Sequence, residues 1–291
     1  MLQDELNKIV EYAAGPELDS ELRKAKKEYQ EILGNIFEDD RSFENRMASF
    51  LEWYTFDRNI DNSDMTPLLA YIEKRRGNCP PETLEIYENL ARYIHSIFIA
   101  RKVKPGCVVV MELFDKIKYQ VKEKQSEIVF RKDDIFEARI VPYAGDYYFT
   151  GTYCFHPREA LRVIELGIKR LNDDKRKYEN ELKKLQKRKN SVAAETKKLD
   201  LKIEKTVHKI ETTRFIRRIP ALEEKKALLE KKRSDLKNEH GNLEKKITDL
   251  LEQKFNKEIP QARNRLIQQF SYMNLKWERF RQIDIKDIYR I

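Results

Sequence analysis

The feature that most constrains this chain is a seven-residue apolar repeat in its second half. Leucine recurs every seventh residue from Leu222 to Leu250, and an earlier apolar series with the same spacing runs from Ile164 to Leu199. Repeats of this length are typical of coiled-coil seams, in which each helix buries one narrow stripe against a partner. The sequence therefore predicts two long helices within residues 158–259 that form a coiled coil.

The two helices are predicted to form one hairpin. The stretch between them contains Pro220, and proline is well tolerated in the first turn of a new helix. A hairpin with its turn near residues 213–221 allows the two amphipathic arms to bury their seams on each other. A kink in one continuous helix and a parallel dimer of continuous helices are the alternatives.

Three further regions complete the chain, and together they predict an α+β fold that is mostly helical. Residues 1–97 show helical spacing of apolar residues and are expected to form a helical lobe. Residues 98–157 alternate in polarity and carry closely spaced turn signals, which predicts a small antiparallel β module of four or five strands, closed into a barrel-like form. Residues 260–291 are predicted to form a C-terminal aromatic amphipathic helix, starting at Pro260, and a short tail.

Charge is distributed unevenly between the two halves of the chain. Residues 161–291 hold 36 Lys and Arg against 21 Asp and Glu, a net charge of +15, whereas residues 1–160 hold 23 against 29, a net charge of −6. A basic half can meet an acidic protein, nucleic acid or an anionic lipid surface. It can also meet the acidic half of its own chain or of a second copy.

Basic residues concentrate at two places in the coiled coil. The predicted hairpin tip, TRFIRRIP, combines three arginines with apolar residues and contains no acid. Because the planar guanidinium group suits phosphate and carboxylate, we identify a candidate contact tip consisting of Arg214, Phe215, Arg217 and Arg218. The candidate basic arm carries interspersed acids, so a solvated coil surface is its simplest interpretation. It consists of Lys183, Lys184, Lys187, Arg188, Lys189, Lys231, Lys232 and Arg233.

The C-terminal helix carries an aromatic stripe at steps of four and three residues. Such a stripe indicates either a helix that packs on its own chain or a helix that docks into the groove of a partner. A helix lying on a membrane surface is a weaker alternative. The candidate docking stripe is Leu266, Phe270, Met273, Trp277 and Phe280.

The stretch FLEWYTFDRN, residues 50–59, is rich in aromatic residues and contains three charged ones. Its helical spacing favours a helix end packed against its neighbours. The functional alternative is a candidate aromatic pocket formed by Trp53, Asp57 and Arg58.

Residues 43–157 resemble a domain of uncharacterised bacterial proteins. The resemblance rests on the W-Y-x-F-D-R run from Trp53, the Thr66-Pro67-Leu68 triplet, the V-x-P-G run from Val103 and the R-I-V-P run from Arg139. Some of those proteins also carry a metal-binding SEC-C segment, which is absent here. The resemblance implies a helical lobe joined to a small β module and implies no activity.

No motif of a known reaction occurs in the sequence. Phosphate-binding glycine loops, nucleophile elbows and metal-ligand spacings are absent, so no catalytic, cofactor-binding or metal residue is predicted and an enzyme is not expected. Cys154 and His156 share one face of a predicted strand, but a Cys–His nucleophile pair is not favoured.

The sequence favours a non-enzymatic interaction or scaffold protein that uses the basic coil as a spacer or arm. A sequence-independent nucleic-acid-associated protein that binds the phosphate backbone through the coil is the alternative. The expected partner is a protein or a second copy, and a membrane is not expected. Three well-separated cysteines and the lack of a signal pattern favour the cytoplasm.

Overall fold

The computed structural model describes residues 2–290 and divides the chain into two compact units. The globular unit comprises the chain up to Lys169 together with the chain from Asn264 onward, and the hairpin unit comprises Arg170–Arg263. The predicted α+β, mostly helical class is confirmed. The sequence predicts the helical lobe, the β module and the C-terminal helix as three separate regions. In the structure the lobe, the β module and the C-terminal helix from Asn264 onward all belong to the globular unit.

Five helices form the lobe of the globular unit. They are α1 (Leu2–Ala13), α2 (Asp19–Leu33), α3 (Phe43–Phe56), α4 (Pro67–Arg75) and α5 (Pro81–Leu90). The start of α4 shows how local sequence sets these bounds: the Thr66 hydroxyl accepts a hydrogen bond from the Leu69 N–H, and Pro67 occupies the first turn.

The boundary between lobe and β module lies earlier than the sequence predicted. Helix α5 ends at Leu90 and strand β1 begins at Ile94, four residues before the predicted boundary. Both faces of this strand are apolar, because Phe98 points into the β module while Ile97 is buried on the opposite face. A strand covered on both sides lacks the alternation that distinguishes it from a buried helix.

The β module is a closed five-stranded barrel. The five barrel strands are β1 (Ile94–Lys104), β2 (Cys107–Glu112), β3 (Lys118–Lys122), β4 (Ile135–Tyr143) and β5 (Asp146–Phe149). The module also contains helix α6 (Ser126–Val129) and a sixth strand, β6 (Cys154–His156). The strands follow the order β1-β2-β3-β5-β4, and pairing of β4 with β1 closes the barrel. Strands β3 and β5 run parallel, and a helix joins β3 to β4. This connectivity is that of the OB-fold barrel.

Strand β1 closes the barrel because it pairs with two neighbours. Residues 94–99 pair with β4, whereas residues 98–104 pair with β2. The register shifts between Ala100 and Lys102, and a bulge of this kind bends a strand and increases its twist. Strand β6 pairs with residues 135–137 of β4, on the same edge of β4 that pairs with β5.

The hairpin unit has the antiparallel arrangement that the sequence predicts. Helix α7 (Leu161–Thr212) and helix α8 (Ile219–Leu250) are joined by a short turn. The buried seam consists of Val192, Leu199, Leu236 and Leu243, with Leu185 and Leu229 packed against it. Each of these residues belongs to one of the two seven-residue series. The predicted helical hairpin is therefore confirmed.

Pro260 does not start a new helix, which corrects the sequence prediction. Helix α8 continues through a π-helix, Leu251–Glu258, into α9 (Ile259–Arg279), and the short α10 (Ile285–Ile288) follows. In an α-helix a proline ring clashes with the carbonyl group four residues earlier. Here that carbonyl belongs to Asn256, inside the π-helix, whose wider turns displace it from the α-helical position. Among the helices of residues 2–290, none has the length and apolarity that crossing a bilayer requires.

Candidate functional site

Two charged side chains stand on an otherwise apolar strand of the barrel. In β4, Phe136, Ala138 and Ile140 point into the barrel core, so the alternate residues Glu137 and Arg139 point outward. Both are covered by other parts of the globular unit rather than by solvent: 4% of Arg139 is exposed, and the Glu137 side chain is 18% exposed. They form the centre of a buried polar cluster.

Arg139 is neutralised by the end of helix α3. Its Nη1 atom donates to Glu52 Oε2 at 2.9 Å, and its Nη2 atom donates to Asp57 Oδ2. The Tyr93 hydroxyl lies 2.9 Å from Asp57 Oδ1. Burial favours the neutral form, but the two carboxylates outweigh burial and the pKa of Arg139 is raised. The group is therefore a fixed cation that ties the lobe to the barrel.

Glu137 joins the barrel to the C-terminal helix. The Nε2 atom of His95, on β1, lies 2.8 Å from Glu137 Oε1, and the Ser271 hydroxyl, on α9, donates to Oε2. Burial alone would raise the pKa of Glu137, but the contacts with His95 and Ser271 outweigh it and the pKa is lowered. Glu137 is therefore a carboxylate whose two oxygen atoms are held in a fixed orientation.

Cys154 and His156 lie beside Glu137 on the same face of the sheet. Strand β6 pairs Cys154 with Glu137, and His156 is two residues further along the strand, so all three side chains point to one side. One candidate ligand atom from each residue lies within 4.8 Å of those of the other two. The Asn274 amide donates to Cys154 Sγ at 3.5 Å, and His156 Nδ1 lies 3.1 Å from the Tyr289 hydroxyl.

The protonation of this pair argues against a nucleophilic role. Burial raises the pKa of Cys154 well above its usual value. Burial also lowers the pKa of His156 to about 4. A reactive cysteine needs a thiolate, usually stabilised by a neighbouring cation. A neutral thiol beside a neutral imidazole does not meet that need. The imidazole does, however, keep a lone pair on one ring nitrogen.

A small cavity of about 70 Å³ adjoins the polar cluster. Its lining includes Glu137, Arg139 and Cys154 from the barrel, and half-buried Ser49 and Gln268 from the surrounding helices. On this measure, the space open to the centres of water-sized spheres, one water molecule needs roughly 10–15 Å³. The cavity therefore has room for several water molecules or a small ion.

The candidate aromatic pocket is divided between two places. Trp53 lines the cavity, and Asp57 contacts it indirectly through Arg139. Arg58 lies elsewhere, 7% exposed, where its guanidinium group donates to both carboxylate oxygens of Glu28 and to Glu21 Oε2. The stretch 50–59 therefore contributes residues to two separate ion clusters, each centred on a buried arginine.

Most of the candidate docking stripe is packed inside the globular unit. Phe270 and Met273 are buried, Leu266 and Trp277 are half-buried, and 47% of Phe280 is exposed. The arrangement is that of a helix packed on its own chain. Helix α9 also supplies Ser271 and Asn274 to the polar cluster, and neither residue belonged to the predicted stripe.

The candidate contact tip is exposed in the hairpin unit. Phe215 is 65% exposed and Ile216 is 81% exposed, and the neighbouring arginines are also exposed. The Arg218 guanidinium lies 5.1 Å from the centroid of the Phe215 ring. A short 3-10 turn, Ile216–Arg218, presents these side chains between the two arms.

The candidate basic arm contains residues that are ion-paired across the hairpin and lysines that are exposed to solvent. Arg188 donates twice to Glu239, Lys189 contacts Glu244 at 2.6 Å, and Arg233 lies 3.4 Å from Asp200, so these three link the two arms. The other five are exposed lysines: Lys183, Lys184, Lys187, Lys231 and Lys232. Acids of the opposite helix therefore neutralise part of the positive charge that the sequence gives to this arm.

The structure also shows a basic surface that was not identified from the sequence. Opposite residues on paired strands point to the same side of a sheet. Across β1, β2 and β3, Lys102 is opposite Val109 and Gln120, and Lys104 is opposite Cys107 and Lys122, so these residues share the outer face. We call this surface the lysine face; it consists of Lys102, Lys104, Lys118 and Lys122 around Val109. The alternation of KYQVK in β3 is the signal that could have revealed it.

Taken together, these features define an OB-like barrel with an attached helical lobe and a long coiled-coil hairpin. The chain belongs to the family of unknown function DUF7986, whose family model matches residues 7–193. The match includes the whole of residues 43–157 and is consistent with the resemblance to an uncharacterised domain. The searches of curated proteins and of solved structures found no match.

Proposed function

We propose that this protein is a non-enzymatic interaction protein in which the hairpin unit acts as a spacer and its tip makes the contact. The observation that carries the proposal is the exposure of Phe215 and Ile216, at 65% and 81%, among three arginines. Large apolar side chains that are exposed next to one another mark interaction sites more often than scattered ones do. Aromatic and arginine side chains also contribute strongly to the binding energy of interfaces.

The residues of the tip indicate the kind of surface that it would bind. No acid occurs between Thr212 and Glu223, so the tip favours an acidic protein surface with an apolar recess for Phe215. The cross-arm ion pairs and the apolar seam hold the two helices together behind the tip. The tip can therefore bind without a folding cost to the arms.

Site-specific photo-crosslinking in the source cells tests this proposal. A photoreactive phenylalanine derivative is placed at Phe215, and the matched control is placed at Ile128, which is 76% exposed in the globular unit. We expect discrete adducts from position 215 that are absent from position 128. Charge reversal of Arg214, Arg217 and Arg218 should remove those adducts without loss of helical content. Adducts that survive charge reversal, or that form equally at both positions, would refute the tip as the contact.

We also propose a second function, sequence-independent binding of nucleic acid, because the barrel carries the lysine face. In OB-fold barrels, strands β2 and β3 form the surface that holds oligonucleotides. Four lysines lie on this face here, and Lys122 is 3.7 Å from Asp146. The face has no aromatic side chain for base stacking, since Tyr119 packs toward the barrel interior. Any binding would therefore rest on phosphate contacts and decrease steeply with salt.

Fluorescence anisotropy with labelled random-sequence single and double strands at two salt concentrations tests the second function. We expect Lys102→Glu with Lys118→Glu to abolish binding. Reversal of Lys183, Lys184 and Lys187 on the hairpin serves as the matched control. Loss of binding only in the hairpin variant would assign the footprint to the basic arm. Absence of binding by the unmodified protein at low salt would eliminate the nucleic-acid function.

A further inference from the structure

The most unusual chemistry in the globular unit is a partly buried trio of different ligand types, in which His156 is buried and Glu137 and Cys154 are half-buried. A carboxylate, a thiol and an imidazole, from Glu137, Cys154 and His156, present candidate ligand atoms within 4.8 Å of one another. Carboxylate oxygen, cysteine sulfur and histidine nitrogen are the three ligand atoms that zinc sites in proteins use. Covering a carboxylate and an imidazole from solvent costs free energy unless each finds a partner.

The sheet itself creates the trio. Glu137 and Cys154 are opposite one another in the β4–β6 pair, and His156 lies two residues along the same strand. Regular strand geometry therefore fixes the three side chains on one side, with no loop involved. In a tetrahedral zinc site with bonds of about 2.0–2.3 Å, ligand atoms lie about 3.5 Å apart. Metal binding would therefore contract the trio from separations of up to 4.8 Å to about that size.

One ligand atom of the trio lacks a partner. His156 is 5% exposed, its Nδ1 atom faces the Tyr289 hydroxyl, and its Nε2 atom has no hydrogen-bond partner. A buried polar atom without a partner is rare and needs an explanation, and a bound ion is one of those that apply to such atoms. The Oδ1 atom of Asn274, whose amide nitrogen contacts Cys154, is also buried without a partner.

The surroundings of the trio resemble the support that metal ligands require. Each ligand is oriented by a second residue: Glu137 by His95 and Ser271, Cys154 by Asn274, and His156 by Tyr289. Outer partners of this kind fix the ring orientation and the basicity of metal ligands. The adjoining cavity, which Glu137 and Cys154 line, provides room for a water molecule as a fourth ligand.

We propose that Glu137, Cys154 and His156 form a mononuclear Zn²⁺ site in the globular unit. The mixed S, N and O ligand set favours zinc over magnesium and calcium, which bind through oxygen. Three protein ligands with one open position is the arrangement of zinc sites that retain an exchangeable water. Binding releases the Cys154 proton to solvent, leaves the His156 ring neutral and uses the existing Glu137 carboxylate. Metal motifs in sequence could not indicate this site, because its ligands meet through strand pairing.

The test uses the full chain after chelator treatment and dialysis. Zn²⁺ alone is titrated by calorimetry, and Co²⁺ serves as a spectroscopic substitute because a thiolate ligand gives cobalt a charge-transfer absorption in the near ultraviolet. We expect one ion per chain and a cobalt–thiolate band. Cys154→Ser and His156→Gln should each weaken Zn²⁺ binding at least about 100-fold, beyond the loss typical of outer-partner substitutions.

Matched controls separate this site from other thiols. Cys107→Ser and Cys79→Ser alter the remaining two cysteines and should leave the stoichiometry, the affinity and the cobalt band unchanged. Absence of saturable binding at one ion per chain in the unmodified protein would overturn the proposal. A cobalt–thiolate band that persists in Cys154→Ser, or disappears in Cys107→Ser, would also overturn it.

A second measurement uses only the unmodified protein, so it tests the zinc site even if Cys154→Ser does not fold. Alkylation of each cysteine in the unmodified protein is followed by mass spectrometry with and without Zn²⁺. We expect Zn²⁺ to slow the modification of Cys154 at least tenfold and to leave that of Cys79 unchanged. Equal rates at Cys154 in both conditions would refute the site.

Discussion

The globular unit and the hairpin unit are both rich in charge but use it in opposite ways. In the globular unit, Arg139 is 4% exposed and Arg58 is 7% exposed, and each is surrounded by carboxylates from other elements. In the hairpin unit, Arg188 and Glu239 form a pair whose side chains are 48% and 38% exposed. Buried charges fix which elements can pack together, whereas exposed charges tune association and leave the seam to supply stability.

This contrast can be tested separately in the two units because the chain offers two optical probes. Trp53 and Trp277 both lie in the globular unit, so tryptophan fluorescence follows that unit alone. Far-ultraviolet circular dichroism is dominated by helix and includes the long arms of the hairpin unit. A substitution that destabilises the globular unit should shift the fluorescence transition. A substitution that destabilises only the hairpin unit should change the circular dichroism and leave the fluorescence transition in place.

The largest effect is expected from charge placed in the hairpin seam. Leu236→Asp with Leu243→Asp buries two unpaired carboxylates, and each change should cost at least about 3 kcal/mol through lost packing and desolvation. We expect a large loss of helical circular dichroism while the fluorescence transition in urea stays in place. Leu201→Asp with Leu228→Asp is the control, since these leucines are 57% and 69% exposed. Equal loss in both double variants would contradict the assignment of the seam.

The next effect is expected at Arg139. Arg139→Met leaves Glu52 and Asp57 buried without their cation, which should destabilise the globular unit by about 3–5 kcal/mol. Urea unfolding followed by tryptophan fluorescence measures it. Arg188→Met in the hairpin unit is the matched change and should move neither probe by more than about 1 kcal/mol. If the two arginine variants behave alike, the contrast between the units fails.

The parts of this fold that rest on local patterns could be predicted from the sequence. The heptad series from Leu222 predicted the seam because a coiled coil repeats one local interaction, and the turn signals predicted strands. The identity of the barrel depends on pairing residues 94–99 with residues 135–140, which no local pattern encodes. The boundary between the lobe and the β module was predicted too late in the chain for a different reason, because a strand that is apolar on both faces looks helical.

The polar cluster could not be predicted because its members are distant in sequence. Arg139 binds Glu52 and Asp57, which are 87 and 82 residues away, and Glu137 binds Ser271, which is 134 residues away. The available signal was the occurrence of Glu137 and Arg139 at alternate positions of an otherwise apolar strand. Two opposite charges on one face of such a strand indicate a buried ion cluster, but not its partners.

Acid should affect the globular unit through carboxylates whose pKa is lowered by folding. Burial opposes the charge of Glu21, but hydrogen bonds from the Asp61 N–H, Lys24 and Arg58 lower its pKa below 4.5. A hydrogen bond from Arg279 lowers that of Asp40 below 3.8. Such groups contribute stability above their unfolded pKa and lose it as the pH falls through the folded pKa. We therefore expect the urea midpoint from fluorescence to fall as the pH drops below about 4.5.

Neutral replacements provide the check on the acid prediction. In Glu21→Gln with Asp40→Asn, the urea midpoint of the globular unit should be lower at neutral pH and should change less between neutral and acidic pH. Glu239→Gln in the hairpin unit is the comparison, and it should leave the fluorescence response to acid unchanged. A steep response that persists in the Glu21 and Asp40 variant would assign acid sensitivity to other carboxylates.

The smallest effect is expected from the exposed cross-arm pair. Arg188 donates to both carboxylate oxygens of Glu239, at 2.8 and 3.0 Å, but solvent screens the pair. A double-mutant cycle of Arg188→Ala and Glu239→Ala, followed by circular dichroism during urea unfolding, should give a coupling of about 0.2–1 kcal/mol that declines with salt. The exchanged variant, Arg188→Glu with Glu239→Arg, should recover the stability lost in either reversal alone. A coupling above about 3 kcal/mol, as found for buried pairs, would show that the hairpin unit also depends on fixed charges and would remove the distinction between the two units.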